Sequence, residues 1–235
     1  MRILVVGAGN MAQETMRVAS ERRTVDCFPI TETPDFEKGL FSNTSSQDTV
    51  AIHFGSGRLL PALIETCEEY GVPIIQGSTN GNLPKEVGTT IINAPNLSLP
   101  MLRFMQAFPS FAEVVGPGMI TGLVESHQGA KESVSGTARA LVPYLDIPAD
   151  KIVSIRNVDI QMALGVPTEH LGGHAYHYFT FTGQGVSITL CTLIHGRETY
   201  ATGALHVAEA LLEKKALFAD GVYDLVALLK PLGLA

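Results

Sequence analysis

The sequence predicts an α/β protein in which a doubly wound parallel sheet is combined with a central α+β domain that has an open mixed sheet. In the first hundred residues, short apolar runs alternate with stretches of helical spacing, which is typical of βαβ units. After Pro100 the apolar runs become longer and carry polar interruptions, and Thr182-Gly183-Gln184-Gly185 is a hairpin turn signal. The length of 235 residues is sufficient for two such domains.

The first half of the chain supplies most of the parallel sheet. Strands are predicted at 3–6, 25–30, 50–54, 72–76 and 90–94, and helices at 11–22 and 58–70. Gly71 is expected to end the second helix as its C-terminal cap. Pro29 lies inside the second strand, so that strand is expected to be short or to lie near an edge.

The remaining elements define the domain boundaries. Helices are predicted at 102–115 and 135–144, and strands at 120–126, 152–162, 175–182 and 186–195. Two further helices, at 200–214 and 221–229, are expected to return to the first domain. The prediction is therefore a dinucleotide-binding domain at 1–98, completed by 205–235, and a substrate-binding and tetramerisation domain at 99–204.

Composition narrows the classes of partner. The formal charge of −7 argues against nucleic acid or an anionic membrane as a partner. Cys27, Cys67 and Cys191 are scattered, which indicates reduced thiols in a cytoplasmic protein and not a disulfide framework or a zinc site. The first apolar run is too short for a signal peptide, and no stretch approaches the ~18 apolar residues of a membrane span.

A glycine turn joins the first strand to the first helix. Gly7 allows a tight turn, Gly9 lets a diphosphate approach the backbone, and Asn10 and Met11 open the helix whose free N–H groups attract phosphate. Ala12 stands where the usual fingerprint has its third glycine. The alternative is an ordinary strand-to-helix turn, but a position in the first βα unit favours a Rossmann-type dinucleotide site.

The end of the second strand bears on cofactor choice. Glu32 can accept hydrogen bonds from ribose hydroxyls, and no basic residue follows before Lys38. This pattern favours NADH over NADPH, with an ordinary solvated acid as the alternative interpretation of Glu32.

The segment 124–138 carries the candidate chemistry. After a predicted strand, a polar loop is expected to hold His127 and Lys131, and Ser135 is expected to cap a helix that begins with Gly136 and Thr137. A helix start and a lysine together suit a carboxylate, and a histidine can act as a general acid near neutral pH. The combination suits reduction of an anionic unsaturated substrate by a nicotinamide cofactor.

The same segment resembles the E-x-H-H-x-x-x-K-x-D-x-P-S-G-T signature of dihydrodipicolinate reductases. The matching residues are Glu125, His127, Lys131, Ser135, Gly136 and Thr137. Three other segments resemble that family in the same order: Gly77-Ser78-Thr79-Asn80-Gly81 its G-T-T-G cofactor loop, Ala94-Pro95-Asn96-Leu97-Ser98 its A-x-N-F-S segment beside the nicotinamide, and Gly165-Val166-Pro167 with Glu169-His170 its G-x-x-G-E-H segment.

The resemblance implies a function and a set of roles. The family reduces dihydrodipicolinate, or 4-hydroxy-tetrahydrodipicolinate, to tetrahydrodipicolinate with NADH or NADPH in the diaminopimelate–lysine pathway, and it forms homotetramers through the open sheet. His127 would be the acid/base residue and Lys131 the residue that binds or protonates the substrate. The other implied contacts are Gln128, Ser135, Gly136 and Thr137 for the substrate, and Gly77, Ser78, Thr79, Ala94, Asn96 and Leu97 for the cofactor.

Departures from the signature leave two alternatives open. Gln128 replaces the second histidine of the pair, and one residue is missing between Lys131 and Ser135. The alternatives are a related NAD-dependent amino-acid dehydrogenase and a catalytically weak paralogue that binds dinucleotide as a sensor or structural partner. His170, His174 and His177 lie close in sequence, but two glycines and strand alternation would separate their side chains, so no metal site is expected.

Overall fold

A computed structural model describes residues 1–22, 25–30, 48–78 and 81–235 of the chain. These residues form two compact units, Met1–Leu99 with Glu198–Ala235, and Pro100–Arg197. In chain order the elements are β1 Arg2–Val6, α1 Asn10–Ser20, β2 Asp26–Ile30, β3 Thr49–His53, α2 Leu60–Tyr70, β4 Ile74–Gln76, β5 Thr90–Asn93, α3 Leu99–Val115, β6 Ile120–His127, α4 Gly136–Leu141, β7 Val153–Ile155, α5 Val158–Ala163, β8 Ala175–Gly183, β9 Val186–Ile194, α6 Glu198–Glu213, β10 Gly221–Asp224 and α7 Leu225–Leu228.

The first unit is built on a parallel sheet with the strand order β10-β5-β4-β3-β1-β2 in the described chain. Side chains 3–6 of β1 and 50–52 of β3 are completely buried, as expected for strands that are covered on both faces. Leu60, Leu63 and Cys67 of α2 pack against this core. Gly71 ends α2 in the left-handed conformation, which confirms the predicted cap.

The edge position of β2 confirms the interpretation of Pro29. This strand pairs with β1 alone in the described sheet, and Pro29 lies opposite Val5. Proline lacks an N–H group and so cannot donate a backbone hydrogen bond to a neighbouring strand. An edge strand has a neighbour on one side only, so it tolerates this loss.

The second unit contains a mixed sheet with the strand order β7-β6-β8-β9 in the described residues. The β6–β8 and β8–β9 pairs are antiparallel, and β6 and β7 are parallel. The turn between β8 and β9 places Gln184 and Gly185 at positive φ, which confirms the predicted hairpin. Helix α3 packs its aromatic side chains onto the sheet, with the Phe108 and Phe179 ring centroids 4.6 Å apart. The two sheets confirm the predicted fold class.

Two predicted elements are wrong. Residues 152–162 were expected to form one long strand, but β7 ends at Ile155 and α5 begins at Val158, because the Asn157 side chain accepts a hydrogen bond from the N–H of Ile160. Residues 221–229 were expected to be helical throughout. Instead β10 pairs with β5, and Asp224 caps the short α7 that follows.

Among the helices of the described residues, none combines the length and the apolar character needed to cross a bilayer.

Candidate active site

Four loops begin at the carboxyl edge of the parallel sheet. Backbone hydrogen bonds continue past the strand ends: Phe54 N–H donates to Val6 O at 2.7 Å, Gly77 N–H to His53 O at 3.0 Å, and Ala94 N–H to Gln76 O at 2.8 Å. The loops that follow β1, β3, β4 and β5 therefore start side by side. In parallel α/β sheets this edge is where ligands bind.

The two glycines of the first loop have different structural requirements. Gly7 has φ +130°, and a Cβ there would lie 2.8 Å from the backbone nitrogen of Gly55, so another residue would be strained. Gly9 is the N-cap of α1 in an extended conformation, and a Cβ there would meet no heavy atom of the described residues within 4 Å. Space above Gly9 and the first N–H groups of α1, which have no partner within the helix, form a cradle that a diphosphate would fit.

The other predicted cofactor residues lie at the same edge. Asn10 is exposed and Met11 is half-buried at the start of α1, and Gly77 and Ser78 follow β4. Ala94 and Leu97 are buried, and the Asn96 side chain accepts a hydrogen bond from Ser98 N–H at 3.0 Å. Glu32 and Thr79 lie outside the described residues.

Sequence reasoning assigned no role to His53, at the carboxyl end of β3. Its side chain is completely buried, and its Nδ1 lies 2.5 Å from Gln76 Oε1. Burial lowers the pKa of His53, although hydrogen bonds to Gln76 and to the Ser56 backbone oppose the shift. A neutral imidazole with Nδ1–H can donate to the Gln76 oxygen, so the pair ties β3 to β4 at this edge.

His127 is the last residue of β6. The sequence analysis had placed it in the loop that follows this strand. Its side chain keeps 11% of its surface exposed, and its Nδ1 is bonded to the carboxylate of Glu125 two residues earlier. Since side chains alternate along a strand, residues 125 and 127 share a face, so this pairing follows directly from the strand.

The Glu125 carboxylate is completely buried and surrounded by donors. Burial alone would raise the pKa of Glu125, but hydrogen bonds from His127, Arg156 and Ser154 outweigh it and lower the pKa to about 2. Because Glu125 is therefore ionised near neutral pH, it accepts from Nδ1–H of His127. A histidine held through one ring nitrogen presents the other, here Nε2, for proton transfer.

Lys131 lies in the loop that follows β6. The loop begins with a turn in which Lys131 N–H donates to Gln128 O at 2.9 Å. The Lys131 side chain is half-buried, and its only hydrogen bond to a described residue is a weak one, 3.4 Å to Ser133 Oγ. Its ammonium group is thus available for an anionic ligand.

Ser135 caps α4 as the sequence predicted, and it has a second partner. Its hydroxyl oxygen accepts from Ala138 N–H at 3.0 Å and lies 2.8 Å from His177 Nε2. Burial, together with the charge of His127, lowers the pKa of His177 to about 3, so this ring is neutral. Gly136 is exposed and Thr137 is half-buried in the first turn of α4. The His127 and His177 ring centroids are 5.4 Å apart, which brings the α4 start and His127 into one cluster.

Sequence reasoning missed three members of this cluster. Arg156 and Ser154 bind Glu125, and the buried Gln161 side chain donates to His127 O at 2.7 Å. They come from the region that was wrongly predicted to be one strand, and no motif in the neighbouring sequence indicates a role for them. His177 was considered only as a metal ligand.

The remaining histidines make other contacts. His174 Nε2 lies 2.9 Å from Ser126 Oγ, and the rings of His170 and His195 stack with centroids 5.4 Å apart. Within the described ranges, no three histidine, cysteine or acidic side chains are grouped so that they could hold a metal ion.

Comparison with known proteins identifies the family. The model for "Dihydrodipicolinate reductase, C-terminus" matches residues 101–229. The chain belongs to the dihydrodipicolinate reductase family. This conclusion confirms the resemblance found in the sequence. One plant relative, 4-hydroxy-tetrahydrodipicolinate reductase 1, chloroplastic, of Arabidopsis thaliana, is 30% identical over 185 residues, covering 71% of this chain and 53% of the relative.

Other relatives of this reductase family match over more of their length. The 4-hydroxy-tetrahydrodipicolinate reductase of Lawsonia intracellularis (strain PHE/MN1-00) is 25% identical over 248 residues, covering 92% of this chain and 95% of the relative. The chain spans only 52–62% of the length of the plant relatives. In fold, it is similar to the dipicolinate-bound dihydrodipicolinate reductase from Paenisporosarcina sp. TG-14, with a TM-score of 0.61, 15% identity, and coverage of 95% of this chain and 97% of the other.

Proposed function

We propose that this protein reduces dihydrodipicolinate, or its hydrated form 4-hydroxy-tetrahydrodipicolinate, to tetrahydrodipicolinate with NADH or NADPH in the diaminopimelate–lysine pathway. The observation that carries the proposal is the Glu125–His127 pair: an ionised, buried carboxylate orients an imidazole that shares a cluster with the start of α4, and Lys131 follows in the next loop. Membership of the reductase family supports the substrate class.

The chain's own residues account for substrate binding and proton supply. Lys131 and the N–H groups of Gly136 and Thr137 bind carboxylate of the substrate, and Gln128 adds a neutral hydrogen-bond donor. His127 holds a proton on Nε2 and transfers it to the reduced substrate, while Glu125 stabilises the imidazolium form. Ser135 holds the first turn of α4 in place through its cap and its bond with His177.

The first unit fits a dinucleotide at its carboxyl edge. The open space over Gly9, the N–H groups of the first turn of α1 and the adjoining loops at Gly77 and Ala94 would hold its diphosphate and ribose. When bound, NAD(P)H supplies the hydride that the reduction requires. The preference for NADH over NADPH stays a prediction, based on Glu32.

Assembly into a homotetramer through the open sheet also stays a prediction. Cys191 and Leu193 of β9 alternate with core-facing residues, and both are exposed on the sheet face opposite the core. Exposed apolar residues on that face are consistent with an interface.

The proposed function is tested by NADH oxidation in the presence of freshly generated dihydrodipicolinate. We expect substrate-dependent oxidation with a kcat on the order of 1–10³ s⁻¹, and tetrahydrodipicolinate as the product by mass spectrometry.

Lys131→Ala should raise KM at least about tenfold, because it removes a charge-assisted carboxylate contact. A parallel series with NADPH tests the cofactor preference, which fails if NADPH binds as tightly as NADH. Tight NADH binding without oxidation would instead favour the sensor alternative.

A Gly9→Ala substitution tests the diphosphate cradle. Because a Cβ at residue 9 would have no atom of the described part of the chain within 4 Å, the fold should tolerate alanine, with only the modest loss of about 0.5–1 kcal/mol expected for a poorer N-cap. NADH affinity should fall about tenfold or more, since the methyl group occupies the space proposed for the diphosphate. Calorimetric titration with NADH and thermal unfolding measure the two effects. Unchanged NADH affinity would contradict the assignment of Gly9.

A further inference from the structure

We propose that Arg156 is a positioning residue that holds both reacting side chains: His127 through Glu125, and Lys131 through the backbone of its loop. The inference rests on the proposed function, because it takes His127 and Lys131 as the residues that act on the substrate. It concerns a residue 29 positions beyond His127, in the turn between β7 and α5.

All five N–H groups of the Arg156 guanidinium have acceptors. Two bonds go to the Glu125 carboxylate, from Nη2 to Oε1 at 2.6 Å and from Nη1 to Oε2 at 3.2 Å. Three go to backbone carbonyls: Nε to Lys131 O at 2.7 Å, Nη2 to Ser133 O at 3.2 Å and Nη1 to Ile155 O at 2.9 Å. A side chain that is four-fifths buried and fully bonded has one orientation available to it.

The bonds to Glu125 fix the orientation of His127. Arg156 binds both oxygens of the carboxylate, Ser154 donates to Oε1, and the His127 ring is bonded to Oε2. The fork of a guanidinium matches both carboxylate oxygens, so the plane of the carboxylate is set as well as its charge. That plane in turn determines which nitrogen of His127 faces the substrate.

The bonds to the loop fix the path of the chain around Lys131. The carbonyls of Lys131 and Ser133 are both acceptors of Arg156, while the Lys131 side chain makes no hydrogen bond to the described residues other than its weak one to Ser133. The backbone is thus anchored and the ammonium group left free. Arg156 therefore sets the distance between the loop and the Glu125–His127 pair.

Two variants separate these two functions of Arg156. Arg156→Lys keeps the positive charge but loses the fork, so kcat should fall about 10–100-fold and KM should rise, because small displacements of reacting groups have effects of this size. Ser154→Ala removes only a bond to Glu125, so kcat should fall several-fold with KM unchanged. Arg139→Lys, at an exposed position of α4, is the matched control and should leave both constants unchanged.

Two further readouts distinguish positioning from a merely structural role. In Arg156→Lys, nitrogen NMR of His127 in the free protein should show a mixture of tautomers, where the parent protein shows Nδ1–H. In Glu125→Gln, the same measurement should also show a mixture of tautomers, because an amide can donate to Nδ1 as well as accept from it.

The results that test the role of Arg156 can be distinguished from the results that test the proposed function. If the parent protein turns over but Arg156→Lys and Ser154→Ala keep its kcat, KM and tautomer, the inference is overturned and the proposed function stands. If the parent protein does not turn over, the proposed function fails, and the tautomer of His127 in the variants still decides the inference. If Arg156→Lys does not fold, the Ser154→Ala variant decides: an unchanged kcat together with an unchanged His127 tautomer would overturn the inference about Arg156.

Discussion

Replacement of His127 by glutamine is expected to lower kcat about 10²–10⁴-fold while NADH affinity stays unchanged, because general acid catalysis contributes on that order. Glutamine retains a hydrogen-bonding group near Glu125 but cannot carry or transfer the proton. The fold should survive, since Glu125 keeps its bonds from Arg156 and Ser154 and is not left as an unpaired buried charge. Steady-state kinetics and NADH titration on the same preparation measure the two quantities.

His195→Gln is the control for this substitution. His195 is an exposed histidine of the same unit, and its bond to the Tyr176 hydroxyl can be replaced by a glutamine amide. The kcat of the His195→Gln variant should remain within a few-fold of the parent value. If His127→Gln retained full turnover while the control behaved as expected, the assignment of His127 as the acid would be wrong.

A second large effect is expected at Gly203 in α6, where the helix backbone lies against the segment after β5. A Cβ at this position would lie 1.7 Å from the carbonyl oxygen of Leu97, which no side-chain rotation can relieve. Gly203→Ala should therefore lower the free energy of unfolding by about 1–3 kcal/mol or more, the range for overpacked positions. Because Leu97 belongs to the predicted cofactor segment, NADH affinity should fall as well.

Denaturant unfolding measures this stability change, and Thr202→Ala provides the comparison. Thr202 is the half-buried neighbour of Gly203 in the same helix, and its replacement should change the free energy of unfolding by about 0.5 kcal/mol or less. Equal stability of Gly203→Ala and the parent protein would show that α6 does not approach Leu97 as closely as the structure indicates.

The parallel sheet was predictable because its sequence signals are local. Residues 3–6 and 50–52 are continuous apolar runs, and their complete burial between helices is what such runs require. Pro29 marked the edge strand because it lacks an N–H donor, and Gly71 marked the end of α2 because glycine readily adopts the left-handed conformation.

The misassigned segments show where local signals fail. Val153, Val158, Ile160 and Met162 are apolar at spacings that resemble a strand, yet all four are about half exposed, so no core enforces that pattern. The Asn157 cap decides in favour of a helix. Residues 221–224 form a strand because they pair with the edge of β5, and each partner lies 131 residues earlier in the chain.

The candidate site was predictable in part, because some of its sequence signals are local like those of the parallel sheet. His127, Lys131 and Ser135 lie within nine residues of one another, and their order matched a family signature. Arg156 and His177 reach the cluster through the pairing of β6 with β7 and β8, which no single stretch of sequence reveals. Glu125 was visible as a match, but its role depends on the donors that those strands bring.

The central claim is that His127, Lys131 and the start of α4 bind and protonate a cyclic dicarboxylate. The most direct measurement is a crystal structure of the protein with NADH and pyridine-2,6-dicarboxylate. We expect a carboxylate of the ligand to accept hydrogen bonds from Lys131 Nζ and from the N–H groups of Gly136 and Thr137, with His127 Nε2 turned toward the ring. A ligand bound elsewhere, with the His127 and Lys131 side chains turned away from it, would contradict the claim.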